Sequence, residues 1–238
     1  MIWLFDLDNT LHHASLAIFP RISANMNAYI ALQTNDPARP LSDKAANQLR
    51  IEYWRRFGAT LLGISRIYDQ RAKDFLRAAH RFDDLASLVS SERGLPALLR
   101  NLPGRKVLLT NSAYRYSKEV VQLLGLHRFF DVHITIESMR VFGKFEPKPS
   151  EKFFRKLLAT LKCTPEKCVL VEDNARILKT AKAMRMRTVL VTQYLNADHY
   201  SEYAYPCPFG KKRVNRPVYV DLKIPSVRCL TQHLERFH

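Results

Sequence analysis

A short apolar run, Ile2 to Phe5, stops abruptly on Asp6-Leu7-Asp8-Asn9-Thr10-Leu11. Four residues are too few for a helix, and the break at polar residues marks a buried strand whose C-terminal end carries two carboxylates. Runs of the same kind recur at Lys106 to Thr110, Val132 to Ile136, Cys168 to Val171, Thr188 to Val191 and Val218 to Val220. Helical period fills most of the gaps, over Leu95 to Leu102, Ser117 to Leu124, Glu151 to Leu161 and Ala175 to Met184. In the third of these, Phe153, Phe154, Leu157, Leu158 and Leu161 recur on one face, and Ser150 after Pro149 is placed to cap the start. Strand alternating with helix predicts right-handed crossovers and an α/β fold with a mostly parallel sheet covered on both faces.

Between about residues 15 and 93 the alternation stops, and helical pattern follows helical pattern: Ile22 to Leu32, Asp43 to Phe57, Thr60 to Tyr68 and Arg71 to Phe82. Asn35-Asp36-Pro37 and Pro40 mark a turn between the first two. The expected organisation is therefore a core of residues 1–14 and 94–238 interrupted by an α-helical insertion at 15–93. Residues 196–217, rich in tyrosine and carrying Lys211-Lys212-Arg213 and Arg216, read as a long irregular loop. A last strand and a closing helix, Val227 to Phe237, follow it.

Composition narrows the function classes. With 47% hydrophobic and 25% charged residues the chain has an ordinary globular make-up. No apolar run is long enough to span a bilayer. The start has neither the basic opening nor the cleavage site of a signal peptide, so a cytoplasmic location is the expectation. Cys163, Cys168, Cys207 and Cys229 form no C-x-x-C pair, which points to free thiols rather than a zinc site. The net charge of +16, from 38 basic against 22 acidic residues, favours anionic partners without choosing among nucleotides, sugar phosphates and nucleic acid.

Two further polar clusters close expected strands as Asp6 to Thr10 closes the first. They are Leu109-Thr110-Asn111-Ser112 and Glu172-Asp173-Asn174, and Pro147-Lys148-Pro149 stands just before a helix. In a parallel sheet the carboxyl ends of the strands are where ligands bind. Any one of these clusters could be a turn or a cap; four at strand ends in one chain indicate a site.

Asp6-x-Asp8-x-Thr10, then Thr110, Lys148 and the acidic pair Glu172-Asp173, resemble in kind and order the four motifs of the haloacid dehalogenase superfamily. The resemblance covers nearly the whole chain. It implies a Rossmann-like three-layer core, with a helical cap inserted between the first and second motifs, and a phosphoryl-transfer mechanism. Asp6 would attack phosphorus in line and form an aspartyl phosphate, while Asp8 protonates the leaving oxygen and later activates water. Asp6, Asp173 and the backbone carbonyl of Asp8 would hold Mg²⁺ through oxygen ligands, with Glu172 either a further ligand or a partner of one. Thr110 and Lys148 would contact the transferring phosphoryl oxygens. In the family, a carboxylate two residues after the nucleophile accompanies phosphatases and phosphomutases rather than dehalogenases.

Residues 52–63, Glu52-Tyr53-Trp54-Arg55-Arg56-Phe57-Gly58-Ala59-Thr60-Leu61-Leu62-Gly63, are similar to a cap motif of the pyrimidine 5′-nucleotidase branch, and His80 is similar too. The resemblance makes Arg56, Thr60 and Asn111 the expected substrate contacts, whereas Tyr53, Trp54 and Phe57 are as readily explained as packing. Ser112 stands where that branch has glycine, and Tyr116 where it has histidine. The expected substrate is a small phosphate ester, a nucleoside 5′-monophosphate before a sugar phosphate or phosphoglycolate. A phosphomutase belongs to the same chemistry, and a nucleic-acid-associated role ranks below these because Asp6 and Asp8 bring negative charge into the pocket.

Overall fold

The computed structural model describes residues 1–33, 39–67, 71–195 and 216–237. Strand β1 (Ile2–Phe5) is followed by helices α1 (Ala14–Ala31), α2 (Asp43–Phe57), α3 (Thr60–Ile67), α4 (Ala72–Ala79) and α5 (Leu85–Leu88). Then come α6 (Leu95–Asn101), β2 (Arg105–Leu109), α7 (Tyr114–Leu123), β3 (Val132–Ile134) and a small hairpin, β4 (Arg140–Val141) with β5 (Lys144–Phe145). Helix α8 (Glu151–Leu161), β6 (Cys168–Glu172), α9 (Ala175–Ala183), β7 (Arg187–Val191) and β8 (Leu222–Ile224) complete the sheet, and a 3₁₀ segment, Val227–Phe237, closes the chain. No helix among the described residues is long and apolar enough to cross a membrane.

The described residues divide into two compact units, one of residues 1–14, 89–195 and 216–237 and the other of residues within 15–88. In the first, six strands lie in the order β3-β2-β1-β6-β7-β8 with every pairing parallel. All four residues of β1 and all five of β6 are buried, as central strands covered on both faces require. Ile2, Leu4, Val107, Leu109 and Leu170 pack on one face with the apolar stripe of α8 and with Leu178 of α9. Period two sends Trp3 and Phe5 to the opposite face, where Trp3 meets the ring of Phe237 edge-on and Phe5 that of Phe130. The sheet is thereby the middle of three layers. Ser150 caps α8, accepting from the backbone N–H of Phe153 at 3.3 Å.

Three expectations need correction. Val218 is fully exposed and Val220 closes a turn back to the Pro217 carbonyl, so the last strand is Leu222–Ile224, whose two leucine-type positions are buried on either side of exposed Lys223. The closing segment is 3₁₀ rather than α, with a break at His233; Val227 and Leu230 share a buried face at the spacing of three that this tighter helix brings into line. Helix α7 starts at Tyr114 rather than Ser117, because the Glu137 carboxylate accepts from the Tyr114 N–H at 2.9 and 3.1 Å and satisfies the new N-terminus.

In the helical unit, α1 begins at Ala14, eight residues before the expected start, and runs through Pro20. A proline at this depth removes one backbone bond at a cost of about 3 kcal/mol. Ala14, Ile18, Ile22, Met26 and Ile30 are all buried at spacing four, and that continuous stripe outweighs the loss. Helix α2 is capped by Ser42 and stopped by Gly58, whose φ of 84° suits a left-handed C-terminal cap. Asn35-Asp36-Pro37, Lys211-Lys212-Arg213 and Cys207 lie outside the described residues; Cys163, Cys168 and Cys229 are free thiols.

Candidate active site

Strand register builds the centre of the site. Phe5 pairs with Leu108 on one side and with Val171 on the other, so the next residues, Asp6, Leu109 and Glu172, reach the carboxyl edge of the sheet at one level. The Lys148 ammonium bridges all three. It donates to Oδ1 of Asp6 at 2.7 Å, to the carbonyl of Leu109 at 2.8 Å and to Oε2 of Glu172 at 2.7 Å, which engages each of its three N–H bonds. Lys148 is 4% exposed, Asp6 6% and Glu172 1%, so these are desolvated charges held by one another rather than surface pairs.

Burial works to lower the Lys148 pKa, but the Asp6 and Glu172 carboxylates reverse it and hold the ammonium above its ordinary value. Asp6 is pushed up from 3.8 to about 7, by burial first and then by repulsion from Glu172, against the pull of Lys148. Asp173 is raised well above the usual carboxylate range, again by burial and then by Glu172. Carboxylate oxygens of Asp6, Glu172 and Asp173 lie within 4.8 Å of one another. Three acids at that spacing, Asp6 and Glu172 buried and Asp173 partly so, are an unfavourable arrangement for protons to resolve alone, and an all-oxygen donor set is what a hard divalent cation takes.

Three other residues complete the surroundings. The Thr10 hydroxyl donates to Oδ2 of Asp6 at 3.3 Å. Thr110, 1% exposed, accepts the Ser112 N–H on its hydroxyl oxygen at 3.0 Å and so retains its own O–H as a donor. The Asn111 side chain donates to the Lys148 carbonyl at 2.9 Å and accepts the Lys148 N–H at 3.0 Å.

A family model, haloacid dehalogenase-like hydrolase, matches residues 2–185. The chain belongs to this hydrolase family. No curated protein matches the sequence. Among solved structures the chain is similar to CbbY from Rhodobacter sphaeroides in complex with phosphate, at 20% identity and a TM-score of 0.58 over 96% of this chain and 95% of that one. A HAD phosphatase from Thermococcus onnurineus is similar at 19% identity and a TM-score of 0.58, covering 98% and 97% of the two chains. The L-2-haloacid dehalogenase of Xanthobacter autotrophicus with chloropropionic acid covalently bound gives 16% identity and a TM-score of 0.57 over 98% of each chain. These likenesses establish a shared HAD fold.

Of the residues expected at the HAD site, Asp6, Lys148, Glu172 and Asp173 come together directly, and Thr110 follows the last residue of the neighbouring strand. Asp8 does not offer its carboxylate to the acidic cluster, because Oδ1 accepts from His12 at 2.8 Å and from Tyr116 at 2.5 Å, and Oδ2 from Ser112 at 2.5 Å. Burial alone would raise the Asp8 pKa; the hydrogen bonds from His12, Ser112 and Tyr116 outweigh it and hold the carboxyl below its ordinary value. Any ligand from Asp8 to a cation is then its main-chain carbonyl. Asn111, expected as a substrate contact, holds the Lys148 backbone from both ends of its amide and so braces the lysine.

The cap-motif residues lie in the helical unit. Thr60, expected to face substrate, is 1% exposed and donates to the Arg50 carbonyl at 3.4 Å, because the α2–α3 turn folds its hydroxyl back onto the preceding helix. Tyr53 is buried, and a Cβ on Gly63 would stand 2.5 Å from its ring, so these two positions of the motif serve close helix packing. Arg56 is exposed beside the Phe57 ring. His80 ends α4 and donates from Nδ1 to the Leu76 carbonyl at 3.0 Å. The residues that sequence reasoning passed over are His12, four positions beyond Asp8, and the use made of Ser112 and Tyr116, which stood out only as departures from a family pattern.

Proposed function

We propose that this HAD hydrolase is a Mg²⁺-dependent phosphomonoesterase that works through an aspartyl phosphate on Asp6. The observation that carries the reading is the buried Lys148 bridge between Asp6 and Glu172, with Asp173 beside them. A carboxylate nucleophile, a fixed cation and a tight group of acids suited to a divalent ion are what attack on a phosphate dianion requires. Asp6, Asp173 and Glu172 would hold Mg²⁺, which supplies charge neutralisation on the phosphoryl oxygens when bound. Lys148 orients Asp6 for in-line attack, and Thr110 offers its hydroxyl to a phosphoryl oxygen. Asp8 delivers a proton to the leaving oxygen and recovers one from the water that releases phosphate.

For the substrate, similarity of residues 52–63 to the pyrimidine 5′-nucleotidase cap motif supports nucleoside 5′-monophosphates, with Arg56 the residue that remains available for recognition. The internal use of Thr60 and Tyr53 favours a second reading, a sugar-phosphate or phosphoglycolate phosphatase, since the motif then reports helix packing alone. Phosphate release with Mg²⁺, measured on nucleoside 5′-monophosphates and sugar phosphates beside an Asp6→Asn control, tests both. Preference for UMP or CMP with a raised KM in Arg56→Ala supports the nucleotidase; comparable turnover of sugar phosphates supports the second reading. Wild-type turnover by Asp6→Asn would eliminate the mechanism.

A further inference from the structure

The Asp8 carboxylate is gripped by three side chains that have no part in the reaction just described. His12 lies four residues further along the same loop, Ser112 follows β2, and Tyr116 stands in the first turn of α7. His12 is 0% exposed, Tyr116 1% and Ser112 8%, so none of the three is oriented by solvent. An ionised carboxylate only accepts, which places the donated hydrogens on His12 Nε2 and on the two hydroxyls. Such a cluster is more than Asp8 needs for the fold. A buried carboxylate could be satisfied by the backbone N–H groups of its own loop, yet here donors arrive from 104 and 108 residues away.

The distribution between the two oxygens is uneven. Each carboxylate oxygen has two lone-pair directions. Oδ1 receives two donors, His12 at 2.8 Å and Tyr116 at 2.5 Å, and is full. Among the described residues Oδ2 receives Ser112 alone at 2.5 Å and keeps one direction open. We propose that His12, Tyr116 and Ser112 are positioning residues that fix the Asp8 carboxylate so that Oδ2 is the oxygen through which protons pass. In the first step the Oδ2 proton moves to the ester oxygen as its bond to phosphorus breaks and the bond from Asp6 to phosphorus forms. In the second, Oδ2 takes a proton from water as the water oxygen bonds to phosphorus and the Asp6–phosphorus bond breaks, which leaves Asp6 a free carboxylate, returns Asp8 to its protonated form and releases inorganic phosphate. Tyr116 and His12 hold the plane of the carboxylate throughout.

This inference rests on the phosphatase reading, and leaving-group dependence separates the two. An aryl ester such as p-nitrophenyl phosphate departs without protonation, whereas a primary alkyl ester such as glycerol phosphate requires it. Tyr116→Phe and Ser112→Ala are expected to lower kcat on the alkyl ester by about 10- to 100-fold with KM unchanged, the scale of misdirected acid–base catalysis. The aryl ester should show a retained burst of nitrophenol, with only the later release of phosphate slowed. Ser112→Thr, which restores a hydroxyl, should recover most of the alkyl-ester rate. Should Tyr116→Phe fail to fold, the Ser112→Ala and Ser112→Thr pair carries the same comparison. A nitrophenol burst slowed as much as turnover of the alkyl ester, or no loss on either ester, would overturn the inference while an inactive Asp6→Asn beside an active wild type leaves the phosphatase standing. A wild type inert toward every ester would overturn both.

Discussion

Asp6 and Glu172 stand one position past the same rung of the sheet, on neighbouring strands, and share a single ammonium at 2.7 Å from each. Their closeness follows from backbone pairing and is unfavourable by itself. Two buried carboxylates at this distance repel, and Lys148 is the group that makes the arrangement tolerable.

Replacing that lysine should therefore be severe. Lys148→Met keeps the length of the side chain and leaves Asp6 and Glu172 without a countercharge, a loss of about 3–5 kcal/mol for a broken buried pair. The expected result in chelator is a large drop in Tm by calorimetry, with Mg²⁺ recovering part of it. A variant as stable as wild type in chelator would mean that the three charges are not mutually dependent.

The pH response of the metal-free protein follows from Asp6. Its carboxyl is pushed up from 3.8 to about 7 in the fold, so the folded state binds the proton more tightly than the unfolded chain and stability from this group falls as pH rises through that interval. The full difference is on the order of 4 kcal/mol. Asp173, raised for the same reasons, adds in the same direction. Denaturant titrations in chelator should thus show wild type losing stability between about pH 4 and pH 7 relative to Asp6→Asn. The two proteins should differ least at the acid end, and parallel curves would contradict the assignment.

The helical unit offers a test independent of catalysis. A methyl group on Gly63 would meet the Tyr53 ring at 2.5 Å, and the nearest atoms are the ring carbon and Cβ rather than a flexible tip. Gly63→Ala should cost about 1–3 kcal/mol as an overpacking change. In the Tyr53→Leu background the cost should shrink, a coupling that a double-mutant cycle on thermal unfolding would measure.

Much of this architecture was legible in the residues. The run Ile2–Phe5, too short for a helix and ending on acids, gave a central strand, and the apolar stripe of α8 lay at helical spacing behind a serine cap. Asp6, Lys148 and the acidic pair could be grouped because each follows an expected strand or precedes a helix. The hairpin at Arg140–Phe145 was missed because two-residue strands around Phe142-Gly143 carry no period to detect. The commitment of Asn111 to the Lys148 backbone was out of reach for a different reason, since an amide's partners depend on which loop passes beside it. Tyr116 was visible only as an unexpected residue. Its approach to Asp8 needs the extra first turn of α7, and that turn exists because Glu137, a residue distant in sequence, caps it.

The bonds that tie the loop after β1 to the rest of the chain span long stretches: 142 residues from Asp6 to Lys148, 104 from Asp8 to Ser112 and 108 from Asp8 to Tyr116. The helical unit and α6 intervene before the first strand meets β2, and further elements before it meets β6, so loop-closure entropy is lost before these contacts form. Refolding of this chain is accordingly a slow, non-local process, and Asp6 acquires its lysine only once β1, β2 and the loop ahead of α8 have docked. Recovery of chemistry after dilution from denaturant then follows completion of the sheet, with no earlier phase in which local helix formation restores function.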